Sequence, residues 1–551
     1  MYHASYAYPS EVVPFVELGL TLLLFAIALW RPRSIDAWLT SAWQGLRAVP
    51  PRRAVIASAV AALLASLASM AALGAPVPHV SDEFGYLLLA DNFAAGRLAN
   101  LQPAVPAAFE AVYVLVRPSY ASKYPPVQGA ILALGQILGH PAVGVALSTA
   151  LLAAACCWFL RGWLPPPWPL LGAALATLRL GVGSYWGQSY WGGTMTAIGG
   201  MLVYGALPRL ATRDAPRDEP APWLPIAAGL FLLANSRPME GAVAALPAAV
   251  VLAWRTLPIW RSQWRPLLLP LTLGLVAGAA VTAAYDRAVT GNAWLLPYHL
   301  HDVTYGVQVP IPFMRPAAPV RYSSPALAAH LAKRFPPTPP ADAVVRAAGH
   351  FARMAWFVCG LPLIIGAVVA LRRPDPWRLF ALLAAALPAA VHAVTPYWSP
   401  HYAAAATGPL LLLGLFGWRD ISSDDRASAA KRLSAPWLAG GALLVQLGVT
   451  LVELPAHRPD ADDWSRSRQR LEQRLEREPP SVVVVGDRVR AVEEWVCNRA
   501  DLRRAHVLWI QDLGPDVTRR VAAAYAPRTL WRLDADAPGD TPRLSRLAAP
   551  R

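Results

Sequence analysis

The chain has 551 residues, of which 55% are hydrophobic and only 15% are charged, and its mean hydropathy is +0.36. A soluble domain carries about 25% charged residues, so this composition excludes an ordinary soluble protein and indicates a polytopic membrane protein. The net charge of +15 comes almost wholly from arginine, because lysine occurs only as Lys123, Lys333 and Lys431. These arginines lie in short loops between apolar segments, a pattern typical of positive-inside topology rather than of nucleic-acid binding.

Twelve apolar segments can cross a bilayer once tilt and short broken helices are allowed. We expect them at about 12–30, 54–74, 142–160, 168–181, 194–207, 223–235, 239–254, 266–285, 351–371, 377–394, 402–418 and 436–454. Five arginines between the first two segments place that connection in the cytoplasm. The other short basic loops then fall on the same side, so the predicted fold is an α-helical polytopic membrane protein with about twelve transmembrane helices.

The chain divides into three parts. Residues 1–53 are predicted to form an extra N-terminal transmembrane helix and a cytoplasmic loop. Residues 54–454 are the membrane core, with a first outer loop at 75–141 and a second outer loop at 286–350. Beyond these, residues 455–551 are rich in charge and are expected to form a small periplasmic α/β domain.

The predicted C-terminal domain alternates strands with helices. Strands are expected at 481–487, 505–512 and 528–536, and helices at 488–500 and 515–526. It contains no GxGxxG or P-loop sequence, so a nucleotide-binding role has no support.

An acidic pair opens a short helix in the first outer loop. Asp82 and Glu83 follow an apolar segment that ends near Gly74, and apolar residues then recur at helical spacing as far as Phe93. This pattern predicts an amphipathic helix that lies on the membrane surface. Carboxylates at a bilayer edge are costly unless they face water or a ligand, so both are candidate catalytic residues, suited to general-base catalysis. The alternative is a solvated pair favoured by the helix dipole.

Two cations in the outer loops are candidates for binding a phosphate. Lys123 lies in SKYPP, and a lysine is a compact cation suited to that task. Arg237 lies in NSRPMEG, a very short outer loop in which the charge pattern does not predict an arginine. Tyr124, next to Lys123, is a candidate substrate contact. The alternatives are a lysine that reaches the membrane interface and a local ion pair between Arg237 and Glu240.

The second outer loop begins with LLPYHLHDVTYG, which contains His299, His301 and Asp302. Such a grouping could hold a divalent metal, but two histidines one residue apart share a face only on a strand and point apart on a helix. The pattern therefore leaves metal binding, contact with donor or acceptor, and plain loop structure as alternatives.

Aromatic residues mark two further outer segments. PYWSPHY (396–402) contains His401 and Tyr402, and SYWGQSYWGG (184–193) is rich in glycine and aromatic residues. His401 and Tyr402 are candidate substrate contacts, because aromatic rings also stack on sugars. Aromatic belts at the membrane interface explain the same residues equally well.

Taken in order, these features resemble the GT-C type membrane glycosyltransferases, particularly the protein O-mannosyltransferase and lipid A aminoarabinose transferase groups. The resemblance covers about residues 54–454 and rests on the acidic pair, the surface helices and the Pro-Pro element after a basic residue. NSRPMEG, AVTGNAWLLPYHLHDVTYGV, SPHYAA and EEWVCNRADLRRAHVLWIQDLG look like a bacterial branch of this class. The chain departs from the family in having KYPP where HPP is usual, and in its first span and its C-terminal domain.

The resemblance implies transfer of a sugar from a polyprenyl-phosphate donor to an envelope lipid, glycan or protein, at the outer face of a bacterial inner membrane. It implies that Asp82 deprotonates or orients the acceptor with Glu83 beside it, and that Lys123 and Arg237 hold the lipid phosphate. No cofactor is assigned, a divalent metal stays an alternative, and no nucleic-acid partner is expected. The competing hypotheses are a transporter or flippase of a lipid-linked glycan and a non-catalytic membrane scaffold.

Overall fold

Apolar helices joined by short loops form most of the chain. The computed structural model describes residues 12–30, 33–210, 221–306, 319–334, 340–395, 398–423, 434–457, 463–486, 495–535 and 542–547. The helices are α1 (Val13–Trp30), α2 (Arg33–Arg47), α3 (Pro51–Leu73), α4 (Ser81–Ala94), α5 (Pro126–Ile137), α6 (Pro141–Arg161), α7 (Trp168–Ala176), α8 (Tyr185–Gln188), α9 (Thr194–Arg209), α10 (Trp223–Ala234), α11 (Pro238–Thr256), α12 (Trp260–Gln263), α13 (Leu269–Thr290), α14 (Pro297–Tyr305), α15 (Pro325–Arg334), α16 (Ala343–Leu371), α17 (Pro376–Ala390), α18 (Thr407–Ser422), α19 (Ala435–Glu453), α20 (Trp464–Leu475) and α21 (Pro515–Ala524).

All twelve expected spans are helical, and the chain is a multi-pass membrane protein. By length and composition, six helices of the described residues can cross a membrane, or seven if α1 and α2 form one bent span. One of the six, Pro238–Thr290, is 53 residues long and contains both α11 and α13, the two spans expected there. Some of the other expected spans, such as Trp168–Val182 and Trp223–Ala234, are apolar helices that are too short to be among the six. The number twelve therefore stays a prediction.

The predicted cytoplasmic loop after the first span is largely helical. Residues Arg33–Arg47 form α2, whose side chains are mostly exposed. The indole Nε1 of Trp437 donates a hydrogen bond to Asp36 Oδ1 at 2.7 Å, which ties α2 to α19. The basic residues of this segment predicted its side of the membrane but not its helical conformation.

Basic loops expected on the cytoplasmic side meet at one end of the bundle. Arg209 Nη2 donates a hydrogen bond to the Trp158 carbonyl at 2.9 Å, and Arg378 pairs with Asp420 at 2.8 Å. Loops expected on the outer side meet one another instead around α4 and α5. In these contacts, segments expected on one side meet segments expected on the same side, and the side of the membrane that each set faces stays a prediction.

Close helix packing in the bundle depends on glycine. A Cβ atom added to Gly417 on α18 would lie 1.7 Å from the Gly366 carbonyl oxygen on α16. The two backbones are therefore in direct contact, and no larger residue fits without moving a helix. Small residues at such contacts are a common way for helices to pack inside a membrane.

The first outer loop contains α4, a small antiparallel sheet and α5. The sheet has the strand order β1-β3-β2, formed by β1 (Asn100–Leu101), β2 (Val114–Leu115) and β3 (Ser119–Ser122). Lys123 and Tyr124 follow β3 directly, and Pro126 starts α5. The strand and the helix thus fix both ends of the SKYPP segment.

The C-terminal domain is a small α/β unit, as predicted. Its sheet has the order β5-β4-β6-β7, in which β4 (Ser481–Val485), β5 (Val507–Gln511) and β6 (Thr529–Asp534) are parallel and β7 (Arg543–Arg546) is antiparallel. The helix expected at 515–526 is α21. The helix expected at 488–500 is wrong for residues 495–500, which are irregular. Residues 487–494 lie outside the described part of the chain.

The α4 helix lies between the membrane core and the C-terminal domain. Leu89 packs in the core of the membrane bundle, whereas Leu88 packs with Val482 and Leu508 of the C-terminal sheet. The expected helix is therefore present, but both of its faces are covered by protein and it does not lie on a bilayer surface. Its sequence pattern could not show this, because the covering domain comes about 400 residues later.

A buried arginine ties the N-terminal helix α1 to the bundle. Arg179 lies in a π-helical turn, Thr177–Val182, that continues α7. Its Nη1 atom is 3.1 Å from Glu17 Oε1 on α1 and 3.0 Å from Gln446 Oε1 on α19. Its Nε and Nη2 atoms donate to the carbonyl oxygens of Phe357 and Trp356 on α16.

We predict that Arg179→Met destabilises the protein by about 3–5 kcal/mol, because it leaves the fully buried Glu17 carboxylate without its cation. Thermal unfolding of the purified protein in detergent measures the effect. Arg372→Met, at an exposed arginine after α16, is the matched control and should leave the melting temperature unchanged. Equal melting temperatures for the two variants would contradict this account of how α1 is held.

Candidate active site

Asp82 lies in the first turn of α4, where it meets the SKYPP segment. Its carboxylate is half-buried, and the Tyr124 hydroxyl donates a hydrogen bond to Asp82 Oδ1 at 2.5 Å. Burial and the nearby Asp82 charge raise the pKa of Tyr124 well above its ordinary value, so the phenol stays a donor. The structure thus brings together two of the predicted site residues.

Glu83 is the next residue on α4, but it has different surroundings. Its side chain is fully buried. Its Oε2 atom accepts hydrogen bonds from the main-chain N–H groups of His79 at 2.6 Å and Val80 at 3.2 Å, and its Oε1 atom accepts one from Tyr190 at 2.9 Å. Burial raises the pKa of Glu83, and these donors oppose that shift. The carboxylate therefore joins α4 to the aromatic segment 184–193.

Lys123 sits in a cage of tyrosine rings. Its Nζ atom lies 3.9 Å from the ring centroid of Tyr298 and 4.3 Å from that of Tyr113, and the residue is only 3% exposed. Asp302 Oδ1 lies 3.8 Å from the same nitrogen. Aromatic faces and a carboxylate stabilise a cation that is removed from water. The alternative of a lysine that merely reaches the membrane interface does not fit this geometry.

The two histidines of the predicted pair lie on one helix and point to different surroundings. On α14, His299 is exposed, whereas His301 is fully buried beside Asp302, with 3.5 Å between His301 Nδ1 and Asp302 Oδ1. Burial lowers the pKa of His301 to about 4, so its ring is neutral near pH 7. Among the described residues, no three His, Cys, Asp or Glu side chains are placed to hold a metal ion.

Arg237 precedes α11 and lies against an aromatic ring. Its guanidinium carbon is 4.6 Å from the ring centroid of Tyr402, and its Nη1 atom is 3.9 Å from Glu240 Oε1. Glu240 is in turn 3.0 Å from His392 Nε2, and the His392 ring stacks on Tyr402. The local ion pair that the sequence suggested is therefore present, within a larger buried cluster.

His401 contacts the same cluster from the other side. Its Nδ1 atom lies 2.7 Å from the Tyr185 hydroxyl, and its ring centroid lies 4.5 Å from that of Trp191. Its Nε2 atom is buried with no hydrogen-bond partner in the described part of the chain. His401 and Arg237 line one cavity of about 20 Å³, room for about one water molecule.

Tyr86 joins the two halves of the site. Its ring stacks on Tyr124 at 4.5 Å, and it lines the cavity that contains Arg237. Tyr124 in turn donates its hydrogen bond to Asp82. The two stacked tyrosines therefore connect the cavity at Arg237 with the carboxylate on α4.

An apolar cavity that opens to the outside of the bundle lies near Arg237. It has a volume of about 280 Å³ and lies between α10, α11 and α13. Small residues line much of it, among them Gly241, Gly274 and Gly278. Its polar end is formed by Asn235 and Thr282, whose side chains are hydrogen-bonded at 3.0 Å. Asn235 is only two residues from Arg237.

Several residues of this site were not predicted from the sequence. They are Tyr86, Tyr113, Tyr190, Tyr298 and His392. Tyr298 lies within the LLPYHLHD motif, which could have indicated it. His392 contacts Glu240 across 152 positions of the chain, a contact that residue spacing does not reveal.

Comparison with known proteins identifies the fold. No protein-family model and no curated protein matches the chain. It is similar to ArnT from Cupriavidus metallidurans bound to undecaprenyl phosphate, with a TM-score of 0.50 and 14% identity over 90% of this chain and 96% of that one. Apo ArnT gives a TM-score of 0.49 and 13% identity over 87% and 92%. An Archaeoglobus fulgidus oligosaccharyltransferase gives 0.41 and 11% over 87% and 69%. The arrangement of helices in this chain is that of the GT-C membrane glycosyltransferases.

Proposed function

We propose that the chain is an integral membrane glycosyltransferase. It transfers a sugar from a polyprenyl-phosphate donor to a lipid, glycan or protein of the cell envelope, at the periplasmic face of a bacterial inner membrane. The observation that carries the proposal is the position of Arg237. This half-buried cation lies two residues from Asn235, at the polar end of the apolar cavity, and the stacked rings of Tyr86 and Tyr124 connect its surroundings with the Asp82 carboxylate.

The apolar cavity between α10, α11 and α13 is the proposed site of the first isoprene units of the donor lipid. A polyprenyl chain needs an apolar surface within the bilayer, and its phosphate needs a cation at the membrane edge. The cavity offers the first, and Arg237 offers the second. Because the cavity at Arg237 has only about 20 Å³, the headgroup would enter by moving the side chains around it.

Asp82 is the proposed general base. The acceptor oxygen attacks the anomeric carbon and forms the new glycosidic bond, while the bond from that carbon to the phosphate oxygen breaks. The acceptor proton goes to Asp82, and the polyprenyl phosphate leaves with the bonding electrons. Direct displacement of this kind inverts the anomeric centre. Arg237 and Lys123 stabilise the negative charge that develops on the phosphate.

The other predicted site residues take supporting roles in this proposal. Glu83 fixes the first turn of α4 through the main chain, so that it positions Asp82. Asp302 and Tyr402 hold the two cations, while Tyr124 and His401 contact the substrate. His301 supports the Lys123 cage from the protein interior. His299, on the exposed face of α14, would meet only an acceptor that approaches from outside.

An envelope-glycan mass profile tests this function. A deletion strain is complemented with the wild-type gene or with Asp82→Asn, at equal membrane abundance. We expect wild type to restore a sugar-sized mass and Asp82→Asn to reduce it at least about 100-fold, because general-base catalysis contributes that much or more.

The matched control is Asp342→Asn, which alters an exposed carboxylate before α16 and should behave as wild type. Restoration of the mass by Asp82→Asn would remove Asp82 as the base. A transporter or flippase of lipid-linked glycan, or a non-catalytic scaffold, would then explain the chain better.

Arg237→Gln tests the donor site separately. We expect it to weaken binding of undecaprenyl phosphate by about 10–100-fold, since a hydrogen bond to a charged group is worth about 1.5–3 kcal/mol. Titration of the purified protein in nanodiscs, followed by its tryptophan fluorescence, measures the affinity. Arg372→Gln serves as the control, and equal affinities for the two variants would place the phosphate elsewhere.

A further inference from the structure

The C-terminal domain contacts the chain directly before α4. His79 Nε2 lies 3.0 Å from Asp463 Oδ2, and His79 Nδ1 lies 3.0 Å from the Ser465 hydroxyl. The Nε2 atom donates to the carboxylate, and the Nδ1 atom is hydrogen-bonded to the hydroxyl, which can act as donor or as acceptor according to the protonation of the ring. Both ring nitrogens therefore contact the C-terminal domain, and Ser465 is 386 positions away from His79 in the sequence.

The main chain of the same histidine binds Glu83. The His79 N–H donates to Glu83 Oε2 at 2.6 Å, and the other oxygen of Glu83 accepts from Tyr190. A continuous set of hydrogen bonds therefore runs from Asp463 through His79 to Glu83, the residue next to Asp82. A shift of His79 would alter the first turn of α4, where both carboxylates lie.

Asp463 is itself fixed at the start of α20. Its Oδ1 atom accepts a hydrogen bond from the Ser465 N–H at 2.8 Å and caps the helix. Burial opposes ionisation of Asp463, but the hydrogen bond and charge of His79 hold the pKa of that carboxyl below its ordinary value. The group that orients His79 is therefore a fixed anion near pH 7.

Further contacts follow α4 along its length. The Arg468 guanidinium carbon lies 4.9 Å from the Phe84 ring centroid, and the Ala500 N–H donates to Asp91 Oδ2 at 3.4 Å. Arg97, after the helix, is 3.6 Å from Asp501. The C-terminal domain thus holds α4 at its beginning, its middle and its end.

We infer that the C-terminal domain is a clamp on the proposed catalytic helix, and that His79, Asp463 and Ser465 are positioning residues for Asp82. The clamp holds the first turn of α4 so that Asp82 stays in line with Tyr124. Its catalytic consequence rests on the proposed glycosyltransferase function, whereas its effect on the conformation of α4 does not. Small displacements of a catalytic group can cost about 100-fold in rate.

The test compares Asp463→Asn with Asp463→Glu and with Asp516→Asn. Asp516→Asn is the matched control, because Asp516 is an exposed acid of the same domain that pairs only with Arg519 among the described residues. Hydrogen–deuterium exchange of each full-length protein in nanodiscs measures the protection of residues 79–94. The envelope-glycan mass at equal abundance measures transfer, and titration with undecaprenyl phosphate measures donor affinity.

We expect Asp463→Asn to speed exchange at residues 79–84 and to lower transfer about 10-fold or more, with the affinity for undecaprenyl phosphate unchanged. Asp463→Glu should retain more transfer than Asp463→Asn, and the control should match wild type. Unchanged exchange at residues 79–94 overturns the clamp, and so does a uniform rise over the whole chain. Faster local exchange with full transfer overturns the positioning role. If wild type itself makes no product, the proposed function fails, and the exchange data still decide whether the clamp exists.

Discussion

The buried carboxylate of Glu83 is the constraint on which the site depends. A polar group removed from water is costly unless hydrogen bonds satisfy it, and here three main-chain N–H groups from two separate segments do so. Two of them come from the turn before α4 and one from the aromatic segment 184–193. The same bonds that satisfy this buried carboxyl group therefore fix the start of α4, and with it Asp82, relative to the membrane bundle.

The two cations of the site have the same kinds of partner, an aromatic ring and a carboxylate. Lys123 and Arg237 each lie against tyrosine rings and within 4 Å of a carboxylate, Asp302 or Glu240. Such partners keep a cation charged when it is removed from water. Tyr402, which the sequence explained equally well as part of an aromatic belt at the membrane interface, thus contacts Arg237 in the structure.

The sequence predicted the helices better than their contacts. The apolar segments expected to cross the membrane are all helical, whereas the side of the membrane that each loop faces stays a prediction. The cover of α4 by the C-terminal domain was not predicted, since a local pattern of apolar and polar residues is the same against a bilayer and against a protein. The same limit applies to Tyr113 in the Lys123 cage, because its partner in the cage, Tyr298, comes from the second outer loop.

The central claim is that a polyprenyl phosphate binds with its chain between α10, α11 and α13 and its phosphate at Arg237. Photo-crosslinking with undecaprenyl phosphate that carries a diazirine in its first isoprene units tests this most directly. The account predicts adducts on peptides that contain residues 227–245 and 274–282, which line the apolar cavity, and competition by unmodified lipid. Competed adducts confined to other helices, or no specific adduct at all, would contradict it.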